Sequence, residues 1–475
     1  MLILQVLILK INNMEKYDIV IIGSGPGGYV SAIRASQLGF KTAIVEKESL
    51  GGICLNWGCI PTKALIKSAE VFDYLNNVDD YGISIESYNK NFNKIIKRSR
   101  DVASKMSKGV HFLMKKNKIK VFEGFGRIKH DKTVEIANDK ESFEISAKNI
   151  ILSTGARSRD IESLKKDGKK IFGYRDAMTL EEQPKEMVIV GSGAIGIEFA
   201  YFYNALGTNV TVVEFQNEIA PNEDQDISKE LEKILKKKGI NILTNSKVVS
   251  SKIVDNKVKV DIEGDDKKFT IDCDVVLSAV GIKSNIENIG LEELGVKIEY
   301  DKVIVNEYYK TNIDGIYAIG DIVSGPALAH VASAEGITCV EHIKGLNPSP
   351  IDYNNIPGCT YSKPEIASVG LTEKKAQEKG YKVKVGKFPF SASGKAQASG
   401  HTDGFVKVIF DSKYGEWLGC HMIGSNVTEM ISEAVVGKKL ETTGHEILKS
   451  VHPHPTMSEA VMEAVADAYD EVIHL

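Results

Sequence analysis

The apolar positions of this 475-residue chain fall into short continuous runs separated by stretches with helical spacing. Residues 19–22 and 187–190 are apolar and rich in β-branched side chains, which is typical of strands buried on both faces. Each run leads through a glycine-rich turn into a helical stretch and then into a second apolar strand, at 42–45 or 210–213. Strands that alternate with helices in this way predict parallel sheets covered by helices. We therefore expect an α/β fold with two Rossmann-like dinucleotide-binding domains.

Both glycine-rich turns have the spacing G-x-G-x-x-G, and their glycines are Gly23, Gly25 and Gly28 in the first turn and Gly191, Gly193 and Gly196 in the second. In this motif the following helix presents unbonded N–H groups at its N-terminus to a pyrophosphate. An acidic residue ends the next strand at the same distance from each turn, Glu46 in the first half and Glu214 in the second. Such an acid can accept hydrogen bonds from ribose hydroxyls. A single loop is a weak signal, but two loops with a matching acid predict two dinucleotide sites.

The second site is predicted to bind NAD rather than NADP. An acid at Glu214 accommodates a free 2′-hydroxyl and repels a 2′-phosphate. Residues 215–222 also contain no arginine that could bind such a phosphate.

Three further segments are assigned to the cofactors. The strand that ends in Gly320 and Asp321 can place a carboxylate beside the ribitol or phosphate of FAD, although a strand capped by a turn aspartate has the same pattern. Thr154 and Gly155 end an apolar strand after the first dinucleotide-binding half, and Gly281 ends one after the second. We interpret both as chain crossings between domains, and assign Thr154 and Gly155 to the FAD site and Gly281 to the NAD site.

Cys54 and Cys59 lie just downstream of the first glycine-rich turn, bracketed by glycines and followed by a proline and Lys63. A regular helix would separate their Cα atoms by roughly 7.5 Å along its axis, whereas a disulfide requires a Cα separation of about 4.4 to 6.8 Å. A helix that begins here must therefore be distorted, which Asn56 and Gly58 can tolerate. The pattern favours a redox-active dithiol beside a flavin over the alternative of two unrelated buried thiols.

Composition and charge exclude several other classes. With 60 basic and 64 acidic residues the formal net charge is -4, so no nucleic-acid partner is expected. The four remaining cysteines are Cys273, Cys339, Cys359 and Cys420. Their spacing is not that of metal ligands, so we expect packed thiols, no metal site and a reducing, cytoplasmic compartment. The apolar run at residues 1–9 is shorter than a membrane span and lacks signal-peptide features, so we predict no membrane association. We expect residues 1–13 to be a loose tail, or an over-extended start of the chain.

The cysteine pair, the strand at 317–321 and the string at 452–459 together carry a resemblance to a known family. Over residues 14–475 the chain closely resembles the pyridine nucleotide-disulfide oxidoreductases. The resemblance implies an FAD-binding domain at 14–150, an inserted NAD-binding domain at 151–280, a central domain that returns to FAD at 281–350, and a C-terminal α+β dimerisation domain at 351–475. It implies a homodimer that oxidises protein-bound dihydrolipoamide with NAD, and that works with the lipoyl domains and core of 2-oxo acid dehydrogenase complexes.

The resemblance also assigns roles around the cysteines. Cys54 would exchange with the substrate, and Cys59 would be the thiolate beside the flavin. Lys63 follows Cys59 by one helical turn and would reach the flavin edge, with Glu198 as its partner. Ala329 would belong to the FAD site. Without the resemblance, Lys63 could be a surface lysine and Glu198 a favourable charge in the first turn of a helix.

At the C-terminus the resemblance implies an acid–base pair. His454 would be the catalytic base, oriented by Glu459 and acting on the exchange thiol of the partner subunit, while His452 would be secondary. Cis peptide bonds are expected before Pro364 and Pro455.

Two segments depart from the family pattern. Residues 282–285 replace a common Arg-x-Pro-Asn, and Trp57 replaces a frequent valine. We expect neither change to touch the redox chemistry. The C-terminus lacks the cysteine pair of mercuric reductases. Two other functions stay open, namely an NADP-linked reductase of another low-molecular-weight disulfide and a non-catalytic, FAD-loaded scaffold dimer.

Overall fold

The computed structural model describes residues 14–265 and 267–475. The tail predicted for residues 1–13 lies outside the described residues. The described chain divides into two compact units. The first unit runs to residue 62 and includes 97–158 and 282–351, and the second comprises 63–96, 159–281 and 352–475.

The strands are β1 (Lys16–Ile22), β2 (Thr42–Glu46), β3 (Lys120–Glu123), β4 (Phe125–Ile128), β5 (Thr133–Ala137), β6 (Ser142–Leu152), β7 (Ala156–Ser158), β8 (Ile171–Phe172), β9 (Glu186–Val190), β10 (Asn209–Val213), β11 (Asn241–Leu243), β12 (Ser246–Val254), β13 (Lys257–Gly264), β14 (Lys267–Cys273), β15 (Val275–Ser278), β16 (Ile282–Ser284), β17 (Ile298–Glu299), β18 (Lys302–Val303), β19 (Ile316–Ala318), β20 (Gly358–Thr360), β21 (Glu365–Gly370), β22 (Val383–Pro389), β23 (Phe405–Asp411) and β24 (Trp417–Gly424).

The α-helices are α1 (Pro26–Gln37), α2 (Gly52–Asn56), α3 (Cys59–Asn76), α4 (Phe92–Lys116), α5 (Tyr174–Ala177), α6 (Ala194–Ala205), α7 (Gln225–Lys237), α8 (Ala329–Lys344), α9 (Glu373–Glu378), α10 (Gly394–Ser399), α11 (Val427–Lys439), α12 (Gly444–Lys449) and α13 (Glu459–Ala468). Within the described ranges, none of these helices is both long enough and apolar enough to cross a membrane.

The first unit is built on a seven-stranded sheet. Its strands lie in the order β3-β2-β1-β6-β5-β4, and β19 also pairs with β6. β1 runs parallel to β2 and β6, with Ile21 opposite Ile44 on one side and Ile151 on the other. All three isoleucines are fully buried, as expected for strands covered on both faces. α1 packs against β1 and α8, so the first predicted Rossmann-like layer is present.

The second unit contains a five-stranded parallel sheet with the order β11-β10-β9-β15-β8. Ile189 in β9 lies between Val212 and Leu277 of the neighbouring strands, and all three are buried. α6 follows β9 and packs on β9 and β10. The chain then adds a three-stranded antiparallel sheet, β12-β13-β14. The second predicted Rossmann-like layer is therefore present as well.

The C-terminal part of the second unit is an antiparallel sheet with the order β20-β21-β24-β23-β22. α13 packs on β22 and β23, and α11 packs on β21 and β24. Phe388, Phe410 and Trp417 belong to the buried core of this part. The mixed α+β architecture matches the C-terminal domain that the resemblance implied, and the predicted fold class is confirmed.

Candidate active site

The first glycine-rich turn leaves space for a ligand at its middle glycine. Gly23 has a φ of +98°, and a Cβ there would lie 2.2 Å from the carbonyl oxygen of Ser153. A Cβ at Gly28 would lie 1.9 Å from the oxygen of Gly23, whereas a Cβ at Gly25 would meet no described atom within 4 Å. The protein's own backbone therefore requires the first and third glycines. The middle glycine faces open space at the start of α1, which suits a bound pyrophosphate.

The second turn repeats this geometry. Gly191 has a φ of +100°, and its Cβ would lie 2.5 Å from the oxygen of Ala279. A Cβ at Gly196 would lie 2.0 Å from the oxygen of Gly191, while one at Gly193 would reach no atom of the described chain within 4 Å. α6 begins directly after Gly193. Both turns thus fit the dinucleotides predicted for them.

Each predicted ribose-binding acid is held by the serine of its own turn. The Oε2 atom of Glu46 accepts hydrogen bonds from the amide and hydroxyl of Ser24 at 2.9 and 2.6 Å. Glu214 Oε2 makes the same two contacts with Ser192, at the same distances. Carboxylate oxygens keep further lone pairs that a ribose hydroxyl can use. Sequence reasoning missed both serines, although their shared place in the G-x-G turn was a usable signal.

Asp321, Thr154 and Ala329, which are also assigned to FAD, lie in the first unit. Burial raises the pKa of Asp321, against an opposing effect of the Lys302 charge. No donor in the described part of the chain reaches the Asp321 carboxylate, so its acceptor capacity suits a hydroxyl-rich group such as ribitol. The Thr154 hydroxyl donates to the carbonyl of Asn285 at 2.6 Å, and the Asn285 side chain donates back to the carbonyl of Thr154 at 3.0 Å. Ala329 is the first residue of α8.

Gly155 and Gly281 follow the two strands that were interpreted as crossings. Their φ angles are +67° and +108°, which favour glycine, and a Cβ at either position would meet nothing described within 4 Å. The oxygen of Gly281 accepts from the amide of Arg159 at 3.0 Å. The open space at both glycines is compatible with their assignment to cofactor sites.

The helix predicted to be distorted at the cysteines is broken between them. α2 ends at Asn56, Trp57 has a φ of -139°, and α3 begins at Cys59. Cys54 lies inside the short α2. The two cysteines therefore lie on separate helical segments, and the sequence expectation of a distorted first turn is confirmed.

The cysteine segment lies against the first glycine-rich turn. Gly52 has a φ of +57°, and a Cβ there would lie 2.7 Å from the Cα of Gly25. Both cysteines are half-buried, and Cys54 packs in the same apolar cluster as Tyr29 of α1. The fold thus brings the segment that carries Cys54 beside the loop predicted to bind FAD.

In the second unit, Lys63 and Glu198 form an ion pair. Lys63 Nζ lies 2.9 Å from each carboxylate oxygen of Glu198. The Glu198 side chain is 6% exposed and that of Lys63 is 32% exposed. The amide of Tyr361 also donates to Glu198 at 3.1 Å, and the Tyr361 ring centroid lies 4.3 Å from Lys63 Nζ. This geometry contradicts the alternative of a surface lysine, and Tyr361 is a partner that sequence reasoning missed.

His454 and Glu459 are in contact as the resemblance implied. His454 Nδ1 lies 2.8 Å from Glu459 Oε1, and the other carboxylate oxygen accepts from the amide of Thr456 at 2.7 Å. Burial opposes ionisation of Glu459, but these two hydrogen bonds outweigh it and hold its pKa below the usual range. The His454 side chain is 78% exposed in the single chain. The peptide bonds before Pro455 and Pro364 are cis, so both predictions are confirmed.

The neighbouring histidines are engaged elsewhere. His452 Nε2 lies 2.7 Å from Glu433, and its Nδ1 lies 3.0 Å from the carbonyl oxygen of Ser450. The hydrogen bond to Glu433 is the main cause that raises the pKa of His452. A ring that donates from both nitrogens has no lone pair with which to accept a proton, which fits the secondary role expected of His452. His445 packs against the Tyr469 ring at a centroid distance of 4.8 Å.

The other four cysteines are packed thiols, as predicted. Burial raises the pKa of Cys273 to about 12 and that of Cys359 to about 11. Cys339 and Cys420 are fully buried, which raises the pKa of each thiol further. Such thiols carry little thiolate at neutral pH and are poor nucleophiles.

The fold and these sites define an oxidoreductase with two dinucleotide sites and a cysteine pair. The family model described as pyridine nucleotide-disulphide oxidoreductase matches residues 17–336, and the dimerisation domain of the same family matches residues 356–465. The chain belongs to the pyridine nucleotide-disulphide oxidoreductase family. Its cofactors are FAD and NAD, and the second match supports assembly as a homodimer.

Individual relatives cover nearly the whole chain. The dihydrolipoyl dehydrogenase of Rhizobium etli is 49% identical over 97% of this chain and 99% of that protein. The dihydrolipoyl dehydrogenase of Bacillus subtilis is 46% identical with the same coverage. Among solved structures, LpdA from Mycobacterium tuberculosis matches with a TM-score of 0.88 and 26% identity, over 95% of this chain and 99% of that one. The copper complex of the flavoprotein disulfide reductase RclA from Escherichia coli matches with a TM-score of 0.86 and 25% identity, over the same shares.

Proposed function

We propose that the protein oxidises protein-bound dihydrolipoyl groups to lipoyl groups and reduces NAD to NADH. The observation that carries this proposal is the cysteine pair on a broken helix beside the FAD loop, in a chain that is 49% identical to a dihydrolipoyl dehydrogenase. The reaction transfers two electrons, so that one dihydrolipoyl group and one NAD give one lipoyl group, one NADH and one proton. FAD, when bound, supplies the electron relay between the cysteines and NAD.

The cysteines exchange with the substrate in two steps. A substrate thiolate attacks Cys54 Sγ, which breaks the disulfide between Cys54 and Cys59, and the electron pair of that bond stays on Cys59 as a thiolate. The second substrate thiol then attacks the mixed disulfide, which releases the lipoyl disulfide and leaves Cys54 reduced. Cys59 begins α3, and a helix N-terminus stabilises a thiolate.

His454 is the base that makes the substrate thiolate. With Nδ1–H donated to Glu459, Nε2 carries the lone pair that accepts the proton of the substrate thiol. The ring is largely exposed in the single chain, which supports action on the cysteine pair of the partner subunit. Glu459 fixes the tautomer, in the way that carboxylates orient catalytic histidines in other enzymes.

The cofactors are held by the two loops of matching geometry. The FAD site comprises Gly23, Gly25, Gly28, Glu46, Lys63, Thr154, Gly155, Asp321 and Ala329. The NAD site comprises Gly191, Gly193, Gly196, Glu214 and Gly281. Glu214 favours NAD because its carboxylate would repel a 2′-phosphate. We also propose four functional domains, namely an FAD-binding domain at residues 14–150, an NAD-binding domain at 151–280, a central domain at 281–350 and a dimerisation domain at 351–475.

The partners of the homodimer are lipoyl domains and the core of 2-oxo acid dehydrogenase complexes, and the compartment is the cytoplasm. The relatives are named dihydrolipoyl dehydrogenases, which supports a dihydrolipoyl group as the substrate.

The test is a steady-state assay of the purified, FAD-loaded protein. Dihydrolipoamide is the substrate with NAD or NADP as the acceptor, and a parallel set contains NADH or NADPH with several low-molecular-weight disulfides. We expect turnover of dihydrolipoamide with NAD and much less with NADP. Turnover that requires NADPH and another disulfide would replace this proposal with the reductase alternative. Wild-type turnover in Cys54→Ser would refute the roles of the cysteines.

A further inference from the structure

One face of α4 is bonded to the backbone of the cysteine segment. Three of its side chains donate to carbonyl oxygens of residues 50–61. They are Ser99, Arg100 and Ser107, which donate to Pro61, Asn56 and Leu50 at 3.0, 2.7 and 2.9 Å, respectively. The segment that carries the cysteines is therefore held by a long helix from a different part of the sequence.

Among these three side chains, Arg100 is the one that reaches the turn between the cysteines. Its Nη1 donates to the carbonyl of Asn56, the last residue of α2. The same guanidinium lies over the ring of Trp57, with its central carbon 4.8 Å from the ring centroid. Trp57 is fixed further by its own Nε1–H, which donates to Glu48 at 2.7 Å. Arg100 thus contacts both residues at the point where the helix breaks.

The chemistry of this contact favours arginine over lysine. A planar guanidinium can stack on an indole and donate a hydrogen bond in its own plane at the same time. A lysine ammonium could donate to the Asn56 carbonyl but could not stack flat on the ring. Burial lowers the pKa of Arg100, so part of its hydration has been exchanged for these protein contacts.

We propose that Arg100 is a positioning residue that holds the Asn56–Trp57 turn and thereby favours formation of a disulfide between Cys54 and Cys59 in the oxidised protein. The proposal rests on the proposed function, because only a redox-active pair makes use of this disulfide. It revises the expectation that Trp57 leaves the redox chemistry untouched. A looser turn would lower the effective concentration of one thiol at the other and so disfavour the disulfide.

The sign of this effect separates positioning from charge. If Arg100 acted only as a cation, its loss would destabilise thiolates and shift the equilibrium toward the disulfide. If it acts by holding the turn, its loss shifts the equilibrium toward the dithiol.

The experiment measures thiol–disulfide exchange in the FAD-loaded protein. Wild type, Arg100→Met, Arg100→Lys and the control Arg98→Met are equilibrated without oxygen in mixtures of reduced and oxidised dithiothreitol at one neutral pH. In each exchange the protein disulfide is reduced to two thiols while one dithiothreitol is oxidised to its cyclic disulfide. Free thiols are then trapped with iodoacetamide and counted by mass spectrometry. Arg98 lies on the same helix and is exposed.

We expect Arg100→Met to lower the equilibrium constant for disulfide formation by about threefold or more, the scale of one lost hydrogen bond. Arg100→Lys should fall between this value and wild type, and Arg98→Met should equal wild type. An unchanged constant in Arg100→Met, or a shift toward the disulfide, would overturn the proposal. If Arg100→Met fails to retain FAD, the test uses Arg100→Lys, and an unchanged constant or a shift toward the disulfide in that variant would overturn the proposal.

This readout does not depend on the proposed substrate. A wild-type protein that exchanges with dithiothreitol but does not oxidise dihydrolipoamide would refute the proposed function. The measured equilibrium constants for disulfide formation would still decide the role of Arg100.

Discussion

The ion pair between Lys63 and Glu198 should stabilise the second unit measurably. Lys63→Met keeps the length of the side chain but removes both 2.9 Å contacts to a carboxylate that is only 6% exposed. Glu198 then keeps the amide of Tyr361 as its donor. Removing one partner of a fully buried pair costs about 3 to 5 kcal/mol. Because Lys63 is one-third exposed, we discount this cost to about 2 kcal/mol.

The size of the pair interaction follows from a double-mutant cycle. Lys63→Met, Glu198→Gln and the double variant are unfolded in urea with FAD bound, and tryptophan fluorescence reports the free energy of unfolding. We expect a coupling free energy of about 1 to 2 kcal/mol between the two side chains. The double variant should therefore be more stable than the sum of the single losses predicts.

Lys67→Met is the matched control on the same helix. Lys67 lies one turn after Lys63, its side chain is 60% exposed, and its partner Glu70 is also bound by Lys363 at 2.8 Å. We expect its loss to cost less than about 0.5 kcal/mol. Equal costs for Lys63→Met and Lys67→Met, or a coupling free energy near zero, would refute the reasoning.

Three further predictions follow from other contacts. His454→Gln should lower dihydrolipoamide turnover about 100-fold or more while NADH oxidation by artificial acceptors persists, and near-normal dihydrolipoamide turnover would contradict the assigned base. Glu214→Gln should raise the catalytic efficiency with NADPH relative to that with NADH. An unchanged ratio of the two efficiencies would show that the Glu214 carboxylate does not determine the choice of nucleotide. Lys407→Met should cost about 3 to 5 kcal/mol of stability because it leaves the buried Asp224 carboxylate without its 2.8 Å partner. The control Lys387→Met removes an exposed lysine and should cost less than about 1 kcal/mol. Burial raises the pKa of Asp224, but its hydrogen bonds and the nearby positive charges outweigh burial and lower that pKa. In urea unfolding, the loss of stability caused by Lys407→Met should therefore be complete above the ordinary pKa of 3.8. This loss should become smaller as the pH falls through the lowered pKa.

Local patterns were enough to predict the sheets and the nucleotide loops. The β-branched runs, the glycine spacing and the acids at matching positions all lie within short stretches of chain, so the sequence itself determines them. The break in the helix was also predictable from the spacing of the two cysteines, because a disulfide at this spacing is incompatible with a regular helix. The pairs formed by Lys63 and by His454 were predicted through the family resemblance.

The missed residues are partners that only the tertiary fold brings together. Tyr361 meets Lys63 from a segment almost 300 positions away, and Arg100 meets the turn at Trp57 from another helix. No periodicity in the sequence connects such segments. The expectation that Trp57 leaves the redox chemistry untouched has the same origin, since its contacts with Arg100 and Glu48 are absent from any local pattern.

The measurement that tests the central claim most directly is anaerobic mixing of the FAD-loaded protein with dihydrolipoamide, followed by absorbance spectroscopy. If the substrate reduces the disulfide of Cys54 and Cys59, the wild-type protein should develop a long-wavelength absorption band from a thiolate beside the flavin. Cys59→Ser should lack this band, because the proposed flavin-side sulfur is missing. A wild-type protein without the band, or a Cys59→Ser variant that retains it, would contradict the account.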